Sequence, residues 1–160
     1  MALPTATLDG IDRVILETLQ DDGRITNVDL ARKAGLTAPP CLRRVRGLEE
    51  AGVIEGYHAK LNATALGYGI TVFALVSLRS QAEDDLRGFE AHVGTLPEVR
   101  ECHMLNGEID FILKIVAHDL QAFQSFLTSR LTTAPNVASV KTSLVIRTAK
   151  DEPGVPVDQG

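Results

Sequence analysis

Three guanidinium groups fall within four residues, Arg43, Arg44 and Arg46, inside a stretch over 26–50 that reads TNVDLARKAGLTAPPCLRRVRGLEE. A guanidinium is a planar fork of donors that matches phosphate oxygens and the edge of guanine, so the chemistry on offer is recognition of a nucleic-acid duplex. Between Leu30 and Leu48 the chain carries Arg32, Lys33, Arg43, Arg44 and Arg46 and no acidic residue, although the 160-residue chain as a whole has a net charge of −5. The basic patch is therefore local. Acidic side chains elsewhere limit bulk attraction to DNA, which makes binding depend on fixed geometry and fall with added salt. The competing reading, solvated arginines on an ordinary surface helix, loses ground because of what surrounds them.

What surrounds them is a pair of short helical patterns about a glycine turn. Thr26 caps the first, with Asp29 three residues on as an Asp version of the capping box, and Leu30, Ala31 and Ala34 line one face. Gly35 falls where a helix end needs positive φ, and Leu36 plugs the turn from below. Thr37 is the next cap, and Pro39 and Pro40 fit the first turn of a helix starting at Ala38, where their missing N–H groups have no acceptor to lose. Cys41, Leu42, Val45 and Leu48 share the buried arc, leaving Pro40, Arg43 and Gly47 outward with Arg44 and Arg46 on the flanks. Gly47 costs roughly 1 kcal/mol of helix propensity but allows close approach of another surface. The candidate DNA-binding residues are thus Thr37, Pro39, Pro40, Arg43, Arg44, Arg46 and Gly47. Arg43 is placed for base readout, Arg44 and Arg46 for phosphates.

Upstream, Asp9 and Asp12 form a second capping pattern ahead of the stripe Ile11, Val14, Ile15 and Leu19, which completes a three-helix domain. Downstream, Ala51-Gly52 stops the recognition helix, and Val53, Ile54, Tyr57, Ala59 and Leu61 read as short extended segments suited to a wing or connecting strand. The expected DNA-binding domain is 1–62.

The second half contains a quasi-duplication. Phe73–Leu78 and Phe111–Val116 are strand-like runs offset by 38 residues, and Pro97-Glu-Val99 and Pro135-Asn-Val137 share that offset. Leu86, Phe89, Val93 and Leu96 stripe one intervening helix; Leu120, Phe123, Leu127 and Leu131 stripe the other. Asn106-Gly107 between the copies is a hairpin signal. The order βαββαβ predicts a ferredoxin-like sheet over 69–150 with both helices on one face, after a hinge at 63–68, with Gly67-Tyr68-Gly69 leading into the first strand. The first strand is apolar on both alternations: Ile70, Val72, Ala74, Val76 and Leu78 on one, Phe73 and Leu75 on the other. With no further helix to cover the second side, the same sheet of another copy is the economical cover, giving a two-fold homodimer that pairs two recognition helices.

The run LDGIDRVILETLQDDGRITNVDLARKAGLTAPPCLRRVRGLEEAGVIEGYHAKLN resembles the N-terminal half of the Lrp/AsnC family of feast/famine transcriptional regulators, and VRECHMLNGEIDFILKIVAHDLQAF resembles its effector-binding half. The resemblance covers nearly the whole chain. It implies a cytoplasmic regulator of α+β class, an N-terminal winged helix-turn-helix followed by a ferredoxin-like effector and oligomerisation domain. It further implies double-stranded DNA as partner, homodimers that assemble into tetramers or octamers, and a free amino acid as effector. The entry Ala38-Pro39-Pro40 departs from the Ser and Thr often found there, which points to a different operator.

By the same resemblance, Met104-Leu-Asn-Gly-Glu-Ile-Asp110 lines an amino-acid pocket at a contact between dimers. Physically, Gly107 exposes backbone N–H groups to a carboxylate and Asp110 receives an α-ammonium, with Met104 and Asn106 beside them and Ser143 to Val145 shaping the side-chain pocket. Without the resemblance, Asn106-Gly107 is a tight turn and Asp110 a solvated strand residue.

Other chemistries find little support. His58, His92, His103 and His118 have no zinc spacing, and Cys102-His103 point to opposite faces of a strand. No phosphate-binding glycine motif occurs, so neither an enzyme nor a cofactor is expected. Two cysteines, 44% hydrophobic content, no bilayer-length apolar run and no signal-peptide pattern fit a cytoplasmic chain without membrane contact. The ten-residue end DEPGVPVDQG, 151–160, reads as a disordered tail. Two alternatives to an effector-responsive regulator stay open: an architectural DNA-bridging protein of the same fold without a ligand, and an enzyme-associated sensing domain.

Overall fold

Asp9 opens the first helix through a reciprocal capping box: its carboxylate accepts from Asp12 N–H at 2.9 Å, and its own N–H donates to Asp12 at 3.2 Å. From it run α1 (Gly10–Asp21), α2 (Asn27–Lys33) and α3 (Ala38–Glu50). Thr26 caps α2 through Asp29 N–H at 3.1 Å. At the end of α2, Gly35 adopts φ +68° and Leu36 N–H reaches back to Ala31 O at 2.8 Å, closing the turn that aims α3. Ile15, Leu30, Ala31, Cys41, Val45 and Leu48 are buried at the centre of these helices.

The computed structural model describes residues 7–157 and divides into two units, one reaching Lys60 and resuming at Lys150, the other spanning Leu61–Ala149. Within the first unit three expectations change. Thr37 has extended N-cap geometry but its hydroxyl makes no capping hydrogen bond; Asn27 Nδ2 on Ala38 O at 2.8 Å ties α2 to the start of α3 instead. No strand forms between Val53 and Leu61: Val53 and Ile54 pack onto the helical core, and Tyr57 donates its hydroxyl to Glu49 at 2.8 Å. The segment 151–157 has no helix or strand but is held rather than loose, since Gln20 donates to Val155 O at 2.7 Å and accepts from Val155 N–H at 3.1 Å. Residues 158–160 of the expected tail lie outside those described.

The second unit comprises β1 (Ile70–Leu78), α4 (Glu83–Gly94), β2 (Val99–Met104), β3 (Phe111–Ala117), α5 (Leu120–Phe126) and β4 (Val137–Leu144). The sheet order is β2-β3-β1-β4 with every neighbouring pair antiparallel, the ferredoxin-like arrangement. Strand alternation sends Val72, Ala74, Val76, Phe111, Leu113 and Ile115 to one face, where Leu86, Phe89 and Val93 of α4 and Phe123 and Phe126 of α5 bury them. Phe89 and Phe111 meet with centroids 4.8 Å apart, and burial of each ring contributes roughly 1.5–3 kcal/mol.

The second helical stripe differs from its expected spacing. Leu120 is exposed, Phe126 takes its place in the core, and the chain continues through a π turn over Leu127–Leu131, closed by Thr132 N–H on Leu127 O at 2.9 Å. The wider turn shifts the register by which Leu131 comes inward. The expected hinge is an anchored turn: a short 3-10 segment Thr64–Leu66 ends at Gly67 with φ +85°, whose carbonyl accepts from His118 Nδ1 at 2.8 Å. Tyr68 stacks on that imidazole with centroids 4.5 Å apart, and a side chain on Gly69 would collide with the His118 carbonyl.

Candidate nucleic-acid interface and effector site

On α3 the structure sorts the three arginines into two kinds. Arg43 and Arg46 are exposed and make no ion pair among the described residues. Arg44 is half-buried, and its Nη1 donates to Asp9 and to Asp12 of α1, at 2.8 Å each. The two acids raise the Arg44 pKa further; in return the Asp9 carboxyl is lowered, first by the Asp12 backbone N–H and then by Arg44. Arg44 is therefore a tie between helices rather than the phosphate contact its flank position suggested. Its partners are 35 and 32 residues away in sequence, beyond the reach of local pattern.

Arg32 is likewise paired, to Asp29 at 2.8 Å, so the cations left unneutralised on this unit's motif are Lys33, Arg43 and Arg46. Thr37, Pro39 and Gly47 are exposed near them, and a side chain placed on Gly47 would meet no atom within 4 Å. Pro40 is half-buried. Leu42, expected on the buried arc, is 38% exposed between Pro39, Arg43 and Arg46; Cys41, Val45 and Leu48 are the α3 residues that are buried in the core. Burial also raises the Cys41 thiol pKa, so that group is a packing residue.

In the second unit the face opposite α4 and α5 carries Phe73 and Leu75 of β1 with Ile112 and Val116 of β3, all half-buried, and no helix of the unit packs on it. Lys114 and Glu101 pair across the same face at 2.8 Å, and that bond is the first cause of the lowered Glu101 pKa. Lys141 and Ser143 of β4 stand opposite Leu75 and Phe73.

The β2–β3 connection is not the tight two-residue hairpin expected from Asn106-Gly107. It is a longer loop from Leu105 to Asp110, closed by Leu105 N–H on Asp110 O at 2.8 Å, with Gly107 at φ +155°, a conformation that side-chain-bearing residues rarely adopt. Met104, Asn106 and Gly107 are exposed, whereas Asp110 is 8% exposed and not a solvated residue. Its Oδ2 accepts from Leu78 N–H and its Oδ1 from Gln81 Nε2, both at 2.7 Å. Gln81, outside the motif, gave no sequence signal. Met104 faces a different recess, a cleft of about 280 Å³ between α4 and β2 lined also by Glu90, Cys102 and Phe111. Cys102 there is pushed up to about 11 by burial and by Glu90. Ser143 lies opposite Phe73, toward the far end of β1 from Asp110, so a single chain does not bring Ser143 to Val145 to this loop.

Comparison with known proteins joins both halves. A family model described as the Lrp/AsnC ligand binding domain matches residues 71–155, and one described as winged helix-turn-helix DNA-binding matches 8–55. The chain is 55% identical to the leucine-responsive regulatory protein of Rhizobium meliloti over 90% of its length and 92% of that protein's. It is 44% identical to the Bkd operon transcriptional regulator of Pseudomonas aeruginosa over 89% and 93% of the two. Its fold superposes on a Neisseria meningitidis transcriptional regulator in complex with L-Met with a TM-score of 0.91 at 37% identity, covering 95% of this chain and 98% of that one. Among the described residues no helix is long and apolar enough to cross a membrane. An exposed cationic helix on a three-helix unit, a four-stranded sheet with two helices on one face, and full-length relatives on both counts place this chain in the Lrp/AsnC family of DNA-binding transcriptional regulators, which are not enzymes.

Proposed function

We propose that this regulator reads discrete DNA sites as a homodimer, in the cytoplasm, and that a free amino acid tunes its occupancy of them. The observation that carries the reading is the exposed face of α3, where Thr37, Pro39, Leu42, Arg43, Arg46 and Gly47 lie together without an internal ion pair to mask the two guanidinium groups. Arg43, nearer the helix start, reads a base edge; Arg46 and Lys33 hold phosphates. A second copy seated on the Phe73, Leu75, Ile112 and Val116 face doubles that helix and sets the half-site spacing.

The effector reading rests on the loop 104–110. Asp110 is a carboxylate whose two oxygens each hold one donor and retain a further lone pair for an α-ammonium, and Gly107 offers backbone N–H to the effector carboxylate. Met104 and Asn106 flank the entrance, and dimers assembled further into tetramers or octamers close it. The L-Met complex of the Neisseria regulator supports an amino acid as the ligand class. Ligand at this loop alters how dimers assemble and hence the spacing of recognition helices, a coupling that must act equally on both affinities.

Footprinting at moderate salt with and without L-methionine or L-leucine tests the proposal. Discrete, two-fold related protected sites whose occupancy shifts with amino acid support it. Featureless coverage insensitive to any amino acid supports instead an architectural protein that bridges DNA.

A further inference from the structure

Asp110 is nearly buried, and the two donors that hold it differ in kind. Leu78 N–H belongs to the last residue of β1, which also pairs with Val137 of β4, so it cannot withdraw from Oδ2 without opening the strand. Gln81 Nε2 belongs to an exposed side chain, and rotation about its own bonds releases Oδ1. We propose that Gln81 is a latch on the effector site, its carboxamide occupying the side of Asp110 that an incoming α-ammonium takes over on binding.

The inference rests on the reading of Asp110 as the ammonium acceptor and adds to it a residue outside the loop motif. The surroundings of Gln81 and the chemistry of the exchanged bond give the latch its character. The backbone next to Gln81 is clamped: Arg79 N–H donates to Asn136 O at 2.8 Å, Ser80 N–H to Asn136 Oδ1 at 3.1 Å, and Asn136 Nδ2 returns to Ser80 O at 2.7 Å. Release of Gln81 is then a side-chain rotation and leaves the β1–α4 connection in place. The bond to be exchanged is a neutral amide donor on a carboxylate, and an ammonium on the same oxygen adds charge attraction to a side chain that is itself only 8% exposed. A ligand without the ammonium gains no such compensation. Every ligand that displaces the latch loses the Gln81 bond and only one carrying a primary ammonium recovers it, which favours free α-amino acids over N-blocked ones or simple carboxylic acids.

The test uses the full chain, titrated calorimetrically with L-methionine, L-leucine and N-acetyl-L-methionine. Gln81→Met keeps the side-chain length without a donor, and Gln81→Ala removes it. Both variants are expected to bind whichever of the two free amino acids binds wild type about tenfold more tightly, the scale of one hydrogen bond to a charged group, while N-acetyl-L-methionine stays unbound. Unchanged affinity in both variants overturns the latch, and weaker binding overturns it in favour of Gln81 as a direct ligand. Asp110→Asn separates the two levels. Amino-acid binding that survives in Asp110→Asn removes the reading of Asp110 as the ammonium acceptor and the latch with it, whereas binding lost there but unaffected in the Gln81 variants removes the latch alone.

Discussion

Arg44 Nη1 is shared between Asp9 and Asp12, so the first turn of α1 is tied to the middle of α3 by one guanidinium. This divides the arginine row by role, and the division is measurable. Arg43→Ala is expected to weaken binding to a specific site by roughly 1–3 kcal/mol and relax preference at one base position. Arg46→Ala should weaken binding to all sequences similarly and reduce the slope of log affinity against log salt by about 1. Arg44→Ala should lower the melting temperature of the DNA-binding unit while leaving the salt slope as in wild type. A salt slope reduced by Arg44→Ala as much as by Arg46→Ala would return Arg44 to the phosphate backbone.

The same tie fixes the sign of an acid response. The Asp9 carboxyl is lowered from its ordinary 3.8, mainly by the Asp12 backbone N–H and further by Arg44. A group depressed on folding contributes stability that is present above its ordinary value and disappears as pH falls through that value toward the folded one. Asp29 is depressed in the same direction, first by the Thr26 hydroxyl and then by Arg32, and adds to the effect. Asp9→Asn keeps an oxygen to cap α1 but removes the charge. Thermal melts between about pH 2 and 7 should show the variant less stable at neutral pH and its stability changing less below about pH 4 than wild type's.

Leu42 lies on the exposed part of α3 next to Arg43 and is 38% exposed, so its side chain is open to an apolar feature of whatever that face meets. In a major groove the apolar feature is the thymine methyl. Leu42→Ala should cost far less stability than the roughly 2–5 kcal/mol of a buried Leu→Ala change. Replacing contacted thymines by deoxyuracil should weaken wild type by about fourfold per methyl, near 0.8 kcal/mol, and leave the Leu42→Ala variant indifferent. Equal losses in both proteins would place Leu42 away from the bases.

Periodicity carried most of the architecture. The caps at Asp9 and Thr26, the Gly35 turn, the start of α3 at Ala38 and the Leu86, Phe89, Val93 stripe all follow from contacts three or four residues apart, which a sequence exposes directly. What it concealed was tertiary. Leu42 looked buried because the helical arc through Cys41, Val45 and Leu48 includes it, yet it lies at the edge of that arc and is not among the residues that pack into the core. Leu120 is the first residue of α5 and stays exposed at the helix start, whereas Phe126, three residues beyond Phe123, falls on the same buried face. Arg44 with its two acids, Gln81 on Asp110, and Gln20 on Val155 join residues 29 to 135 positions apart, and no local signal predicts such pairs. The candidate DNA face was therefore legible as a region, and the division of labour within it was not.

The open sheet face gives the last prediction. Phe73, Leu75, Ile112 and Val116 stay half-exposed on one side of β1 and β3, an apolar surface on the side that no helix of the unit covers. Leu75 is bracketed by Ile112 on β3 and Lys141 on β4, so Leu75→Lys places a second cation beside Lys141, and a two-fold contact presents the clash twice. The buried side of the sheet is untouched, because Ala74 and Val76 point the other way. The variant should keep wild-type secondary structure, sediment as a monomer at micromolar concentration where wild type is dimeric or larger, and lose binding to paired half-sites while retaining weak, salt-sensitive binding to any duplex. A variant that stays dimeric with intact site binding would move the dimer contact to another surface. Loss of DNA binding without dissociation would instead show that the face positions the recognition helices by some route other than holding two copies together.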